Sequence, residues 1–254
     1  MLFTPDNLTL ELLVLLAGVA CIAGFIDAIA GGGGLLVLPV LLWAGLTPAQ
    51  ALATNKLQAV FGSFTATLHF IRQGKINLKS MRLPIVMSFF GAACGTLLIQ
   101  QFDNASLEKI IPFLLIGFAV YFLFSPRVGD LNTNPRISQN TFAFTAAFLI
   151  GFYDGFFGPG TGSFFAVAFV ILLGYNLTEA TAHAKLLNFV SNLAALIFFI
   201  VGGKVIWTIG LVMAIGQIIG AYFGAHMVIH HGAPLIKPFL VITSLAITLK
   251  LILF

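Results

Sequence analysis

Asp27 and Asp154 each close an apolar stretch immediately before a glycine-rich break, and Lys56 and Lys185 each stand in the first turns of the apolar segment that follows. A charge at the centre of a bilayer costs about 2.5–3.5 kcal/mol on insertion scales, so an ionisable residue there is a candidate functional group. Two chemistries suit the pattern. The lysines can attract an anion while the aspartates orient them or carry a coupling proton, or each aspartate and lysine can form a structural ion pair that holds a broken helix together.

The breaks add backbone donors. Gly31-Gly32-Gly33-Gly34 in one place and Gly158-Pro159-Gly160-Thr161-Gly162-Ser163 in the other let the chain turn without a Cβ penalty. A helix that starts there turns unpaired N–H groups and its positive dipole end toward the break, which makes an anion site. The candidate binding groups here are Gly32, Gly33, Gly34, Gly160, Thr161, Gly162 and Ser163, with the two hydroxyls as extra donors. A nucleotide loop would need a Gly-Lys-Ser/Thr ending after a strand, and the chain has neither.

The segment after each break carries a polar stripe at helical spacing. Lys185, Asn188 and Asn192 share one face, and Asn55, Gln58, Gly62, Thr65 and His69 share another, with Lys56 beside them. Helix–helix hydrogen bonding is the plain use of such a stripe. Lys185 with two asparagines, and Asn55 with Lys56, also fit a ligand lining. Glu179 and His183 are an i, i+4 pair suited to a proton relay or to a structural hydrogen bond. His226, His230 and His231 lack an accompanying cysteine or carboxylate, so no metal site and no cofactor is implied.

The elements that must position these groups lie in a bilayer. Of 254 residues 59% are apolar and 8% charged, and the mean hydropathy is +1.07. Soluble domains carry about 25% charge. Composition therefore excludes an ordinary cytosolic enzyme, a disordered chain and a disulfide scaffold; Cys21 and Cys94 both sit in apolar runs. The net charge of +4 is scattered, without the basic helix that nucleic acid would require.

The chain also repeats itself. Gly24-Phe25-Ile26-Asp27 returns as Gly151-Phe152-Tyr153-Asp154, 127 positions later. At an offset of 129, Gln50 to Leu57 falls on Glu179 to Leu186, Gly74-Lys75-Ile76 on Gly203-Lys204-Val205, and Gly91 and Gly95 on Gly220 and Gly224. The expected fold is all-α and polytopic, with about eight transmembrane helices from two homologous four-span repeats, 1–129 and 130–254, in one membrane domain. The spans are 8–29, 49–71, 83–101, 107–124, 141–157, 178–201, 205–227 and 235–253. Short apolar pieces at 35–44 and 163–173 read as half-helices after each glycine break. If they re-enter without crossing, the repeats are parallel; if they cross, the repeats are inverted. Counting Lys and Arg on each side leans to parallel repeats with both termini cytoplasmic.

The segments 24–39, 45–56, 151–162 and 180–185 resemble the sulfite exporter TauE/SafE family, also called the toluene sulfonate uptake permeases. The resemblance spans essentially the whole chain. It implies a multi-pass bacterial inner-membrane carrier, not an enzyme, that moves sulfite, sulfonates or related sulfur-containing anions, with lipid and a small anion as partners. Direction, coupling ion and oligomeric state do not follow from it. The second repeat has His183-Ala184-Lys185 where the first has Thr54-Asn55-Lys56, so the two half-sites are unequal. Two competing readings use the same residues: an intramembrane aspartyl protease with Asp27 and Asp154 as its dyad, or an anion channel.

Overall fold

A computed structural model describes residues 9–123 and 133–231. These residues form helices joined by short loops, with no strand among them. The first half of the chain contributes α1 (Leu10–Ala30), α2 (Gly33–Trp43), α3 (Pro48–Arg72), α4 (Arg82–Ile99) and α5 (Asn104–Leu123). The second contributes α6 (Gln139–Phe142), a π-helical turn (Ala143–Ala147), α7 (Phe148–Phe156), α8 (Thr161–Leu173), α9 (Leu177–Val201) and α10 (Trp207–His231). Among the described residues α1, α4, α9 and α10 are long and apolar enough to cross a membrane. The expected span at 235–253 lies outside the described residues.

Local sequence sets the helix ends. Thr47 caps α3 by accepting from the Gln50 N–H, Gln50 returns its side-chain oxygen to the Thr47 N–H, and Pro48 fills the first turn. Asn176 caps α9 through the Glu179 N–H at 2.9 Å. Gly31, at φ 78°, ends α1 in the left-handed region that other residues avoid.

Two seams of small residues hold the bundle. A Cβ on Gly216 or Gly220 would strike the carbonyl oxygens of Ala17 and Cys21, so α10 lies backbone to backbone on α1. Gly91 and Gly95 of α4 meet Phe148 and Phe152 of α7, while Gly151 and Gly155 meet Ser88 and Ala92 from the other side. Lipid supplies little hydrophobic drive between helices, so close approach through glycine supplies dispersion contacts instead. Large apolar side chains such as Phe90, Leu149, Ile215 and Phe223 remain exposed around the outside, as a lipid-facing surface requires.

The register of these contacts fixes the helix directions. Residues 17, 21 and 25 of α1 ascend with 216, 220 and 224 of α10, so the two helices run the same way. Thr54, Leu57 and Gly62 of α3 ascend with Ile206, Gly210 and Gln217, which makes α3 parallel to them. Gly91 and Gly95 ascend with Phe148 and Phe152, and Ser88 and Gln100 bond Leu187 and Phe198, so α4, α7 and α9 form a second parallel set. Thr54 near the start of α3 bonds Ile206 just past the end of α9, and Asn77 just past α3 bonds His183 near the start of α9, so the two sets are antiparallel.

Of the two topologies that the sequence leaves open, these helix directions match the inverted one and not the parallel one to which the charge count leans. Since α1 and α3 run the same way, α2 must carry the chain back between them, and α8 does the same between α7 and α9. Helices that carry matching sequence motifs, α1 and α7, α3 and α9, and α4 and α10, then point in opposite directions. Hydropathy could not reveal this, because an 11-residue helix is too short for a standard span. Its neighbours cover it inside the bundle: Val37, Leu38 and Leu41 are fully buried.

Candidate functional site

Both glycine breaks reverse the chain. After Gly31 and Gly32, α2 folds back so that Gly33 packs on Ala23 and Asp27. After Gly158, Pro159 and Gly160, α8 folds back on α7, where the Tyr153 hydroxyl donates to the Pro159 carbonyl at 2.5 Å. The two hairpin tips touch: a Cβ on Gly31 would collide with Gly162 and Ser163, and one on Gly34 would lie 3.3 Å from Pro159 Cα. The glycines therefore allow one tip to sit against the other.

The ionisable groups cross between the repeats. Lys56 of the first donates to Asp154 Oδ1 of the second at 2.7 Å, and Lys185 of the second donates to Asp27 Oδ2 of the first at 2.9 Å. The expected pairing of aspartate and lysine within one broken helix is replaced by pairing between the two. Both ammonium groups lie against the breaks, for a Cβ on Gly158 would lie 2.6 Å from Lys56 Nζ and one on Gly162 2.8 Å from Lys185 Nζ.

An anion already sits at each break, supplied by the protein. Asp27 Oδ1 accepts the Gly33 N–H at 3.2 Å, the first donor of α2. Asp154 lies within bonding distance of the Thr161 hydroxyl at the start of α8, 2.9 Å away, and of the Ser191 hydroxyl of α9. Two cations and two carboxylates leave the centre with no net charge. Each aspartate holds a lysine, whereas a protease dyad pairs its two carboxylates with one another across a shared proton.

Around them is a cavity of about 20 Å³, room for roughly one water molecule. Asp27, Asn55, Lys56, Asp154, Asn188 and Asn192 line it, as do Gly33, Gly34, Gly160, Thr161 and Gly162. Three expected groups stand outside that lining: Gly32, Ser163 and Lys185. Ser163 donates to the Ala30 carbonyl at the end of α1, and Lys185 is screened by Asp27. Gln58, which donates to Asn55 Oδ1 at 2.8 Å, also lines the cavity, and its own Oε1 is buried without a partner. In the next shell of the stripe, Thr65 is spent on the Phe61 carbonyl.

Ser191 and Gln217 were missed by reading the sequence. Ser191 lies on the Lys185–Asn188–Asn192 helix, three residues beyond Asn188, so the periodicity contained it. Gln217 had no such signal. Its side chain fills the space left by two absent Cβ atoms, since one on Gly24 or Gly62 would collide with Oε1, and it reaches the cavity from α10.

Glu179 and His183 lie elsewhere, on an open vestibule of about 650 Å³ shared with Lys75, Lys79 and Tyr175. They do not form a side-chain relay. His183 Nδ1 bonds the Glu179 backbone carbonyl at 2.8 Å, and Nε2 accepts the Asn77 N–H at 3.2 Å. Phe169 and Tyr175 pack on the ring. Among the described residues no cluster of His, Cys, Asp or Glu is arranged to hold a metal ion.

Apolar spanning helices, broken hairpins meeting at the centre and buried charges at their tips define an integral membrane protein of the transporter type. The chain belongs to the sulfite exporter TauE/SafE family, which matches residues 16–251. It is 48% identical over 246 residues to a probable membrane transporter protein of Haemophilus influenzae, covering 97% of this chain and 96% of that one. It is 51% identical over 241 residues to the probable membrane transporter protein YfcA of Escherichia coli K12, covering 95% and 90%. A sulfite exporter TauE/SafE family protein 6 of Arabidopsis thaliana is 27% identical over 101 residues, 39% of this chain and 24% of that one. No solved structure matches the chain. The protein is a membrane transporter of this family.

Proposed function

We propose that the protein is a secondary transporter of small anions, of the sulfite and sulfonate class, in the bacterial inner membrane. Its unit is two inverted copies, 1–129 and 130–254, with eight long spans and the short helices α2 and α8. The observation that carries this reading is the crossed pairing of Lys56 with Asp154 and Lys185 with Asp27 where the two hairpin tips meet. Carriers built from inverted repeats place their sites at broken helices between the repeats and work by rocking one against the other.

In this reading Lys56 and Lys185 supply positive charge, and Asn55, Asn188 and Asn192 with the N–H groups of Gly33, Gly34, Gly160 and Gly162 and the Thr161 hydroxyl supply donors. The carboxylates occupy the places that an oxyanion would take. With room for about one water, the cavity belongs to a closed state that must widen before a solute enters. Arg72, Lys75, Lys79, Arg82 and Arg136 gather at the vestibule end and Lys109 and Lys204 at the other, so the vestibule faces the cytoplasm.

Flux into proteoliposomes tests it. Labelled sulfite or a short sulfonate is expected to enter with saturation, and Lys56→Gln and Lys185→Gln to abolish entry. Flux that rises without saturation would mean a channel, and no flux of any sulfur oxyanion would remove this substrate class.

A further inference from the structure

Asp27 and Asp154 occupy equivalent places in the two repeats, yet their surroundings differ. Asp154 is 1% exposed and has partners on both oxygens: Lys56 and Thr161 at Oδ1, and Ser191 at Oδ2. Asp27 has one side-chain partner, Lys185, and one backbone N–H, and 22% of its side chain is accessible. The charged groups around it are its partner Lys185 from α9, which stands outside the cavity lining, and Lys56 from α3 and Asp154 from α7, which share the cavity; α2 and α8 contribute none, and α10 contributes the neutral Gln217.

Resting on the transporter reading, we infer that Asp27 is the group that takes up the coupling proton, while Asp154 is a fixed anchor. The central charge sums to zero, so a monoanion entering alone would leave one uncompensated negative charge in a buried site. A proton arriving on the Asp27 carboxylate restores neutrality. It turns Asp27 into a carboxylic acid, releases the Lys185 ammonium and the Gly33 N–H, and lets the anion's oxygen take the place that the carboxylate held. On the far side the anion leaves, Asp27 gives up the same proton, and the Lys185 pair re-forms. One proton travels with each monoanion, and no bond within the anion changes. Asp154 does not exchange roles: it is 1% exposed and held by Lys56, Thr161 and Ser191 together, whereas Asp27 is the carboxylate with 22% of its side chain accessible.

The full chain in proteoliposomes tests this with sulfur-labelled sulfite. Exchange of sulfite at equal pH on both sides needs no net proton movement, whereas accumulation under an imposed pH gradient does. Asp27→Asn, which resembles the protonated residue, is expected to slow exchange while leaving it measurable, and to lose gradient-driven accumulation to the level of protein-free liposomes. Asp154→Asn is expected to lose both. Accumulation that survives in Asp27→Asn, or the split behaviour in Asp154→Asn, overturns the inference. A second measurement covers the case of a misfolded Asn variant. The infrared carbonyl band that appears on acidifying the detergent-solubilised protein should move in Asp27→Glu and stay in place in Asp154→Glu; the reverse overturns it. If wild-type protein exchanges no sulfite, the substrate reading fails on its own, and the infrared result still decides the protonated group.

Discussion

Thr54 and His183 stand at the same position of the two repeats, 129 residues apart, and each accepts a hydrogen bond from the loop that leads into the next helix. Thr54 Oγ1 takes the Ile206 N–H at 3.1 Å and His183 Nε2 takes the Asn77 N–H at 3.2 Å, and Asn77 and Ile206 are themselves 129 apart. One joint lies at each end of the molecule, and only one titrates. With its Nδ1 proton directed to the Glu179 carbonyl, the His183 ring accepts from Asn77 only while Nε2 is bare. Protonation places a hydrogen there, so the joint is intact at high pH and is lost as pH falls through the imidazole's titration. Hydrogen exchange, corrected for its intrinsic pH dependence, should show protection of 73–81 falling on acidification while 202–206 holds. His183→Ala should lose that protection at every pH. An equal response at both loops would contradict this.

Removing one member of a buried ion pair leaves the other charge stranded. Lys56→Gln isolates Asp154 and is expected to cost about 3–5 kcal/mol of stability. Lys56→Gln with Asp154→Asn should recover most of that loss while transport stays abolished. Thermal unfolding in detergent reads the first effect and flux the second. A double variant no more stable than the single would mean that the pair does not hold the tips together.

The glycine seams make a sharper packing prediction than hydropathy does. In Gly155→Ala the new methyl would meet the Ala92 carbonyl oxygen, and in Gly220→Ala that of Cys21. Backbone cannot swing aside as a side chain can, so each should cost about 1–3 kcal/mol or more through overpacking. At Gly18 nothing lies within 4 Å of the added atom, and Gly18→Ala should be neutral or slightly stabilising, by up to about 1 kcal/mol. Comparing melting temperatures of the three checks the seam directly.

Orientation can be read with a membrane-impermeant thiol reagent in whole cells, in a background where Cys21 and Cys94 are replaced. A cysteine at Lys204 should react from outside, and one at Lys75 only after the membrane is opened. Reaction of both from the same side would rule out the opposed helix directions.

In its linear order the chain already showed a membrane-embedded helical protein with a recurring motif, a glycine-rich break after each occurrence and four ionisable residues beside those breaks. Those properties are local: apolar length, helical period and freedom from Cβ are written residue by residue, and the caps of α3 and α9 are too. Nine of the twelve proposed binding groups accordingly line one cavity. Direction and partnership are not local. A helix buries the same apolar face whether its neighbour runs with it or against it, so hydropathy could not tell that α2 returns the chain or that the copies oppose each other. Lys56 could reach either aspartate by charge alone; packing of Gly31 on Gly162 brings Asp154 to it from 98 residues away. Gln217 enters the site only because Gly24 and Gly62 leave it room, a vacancy that exists between three helices and in none of them separately.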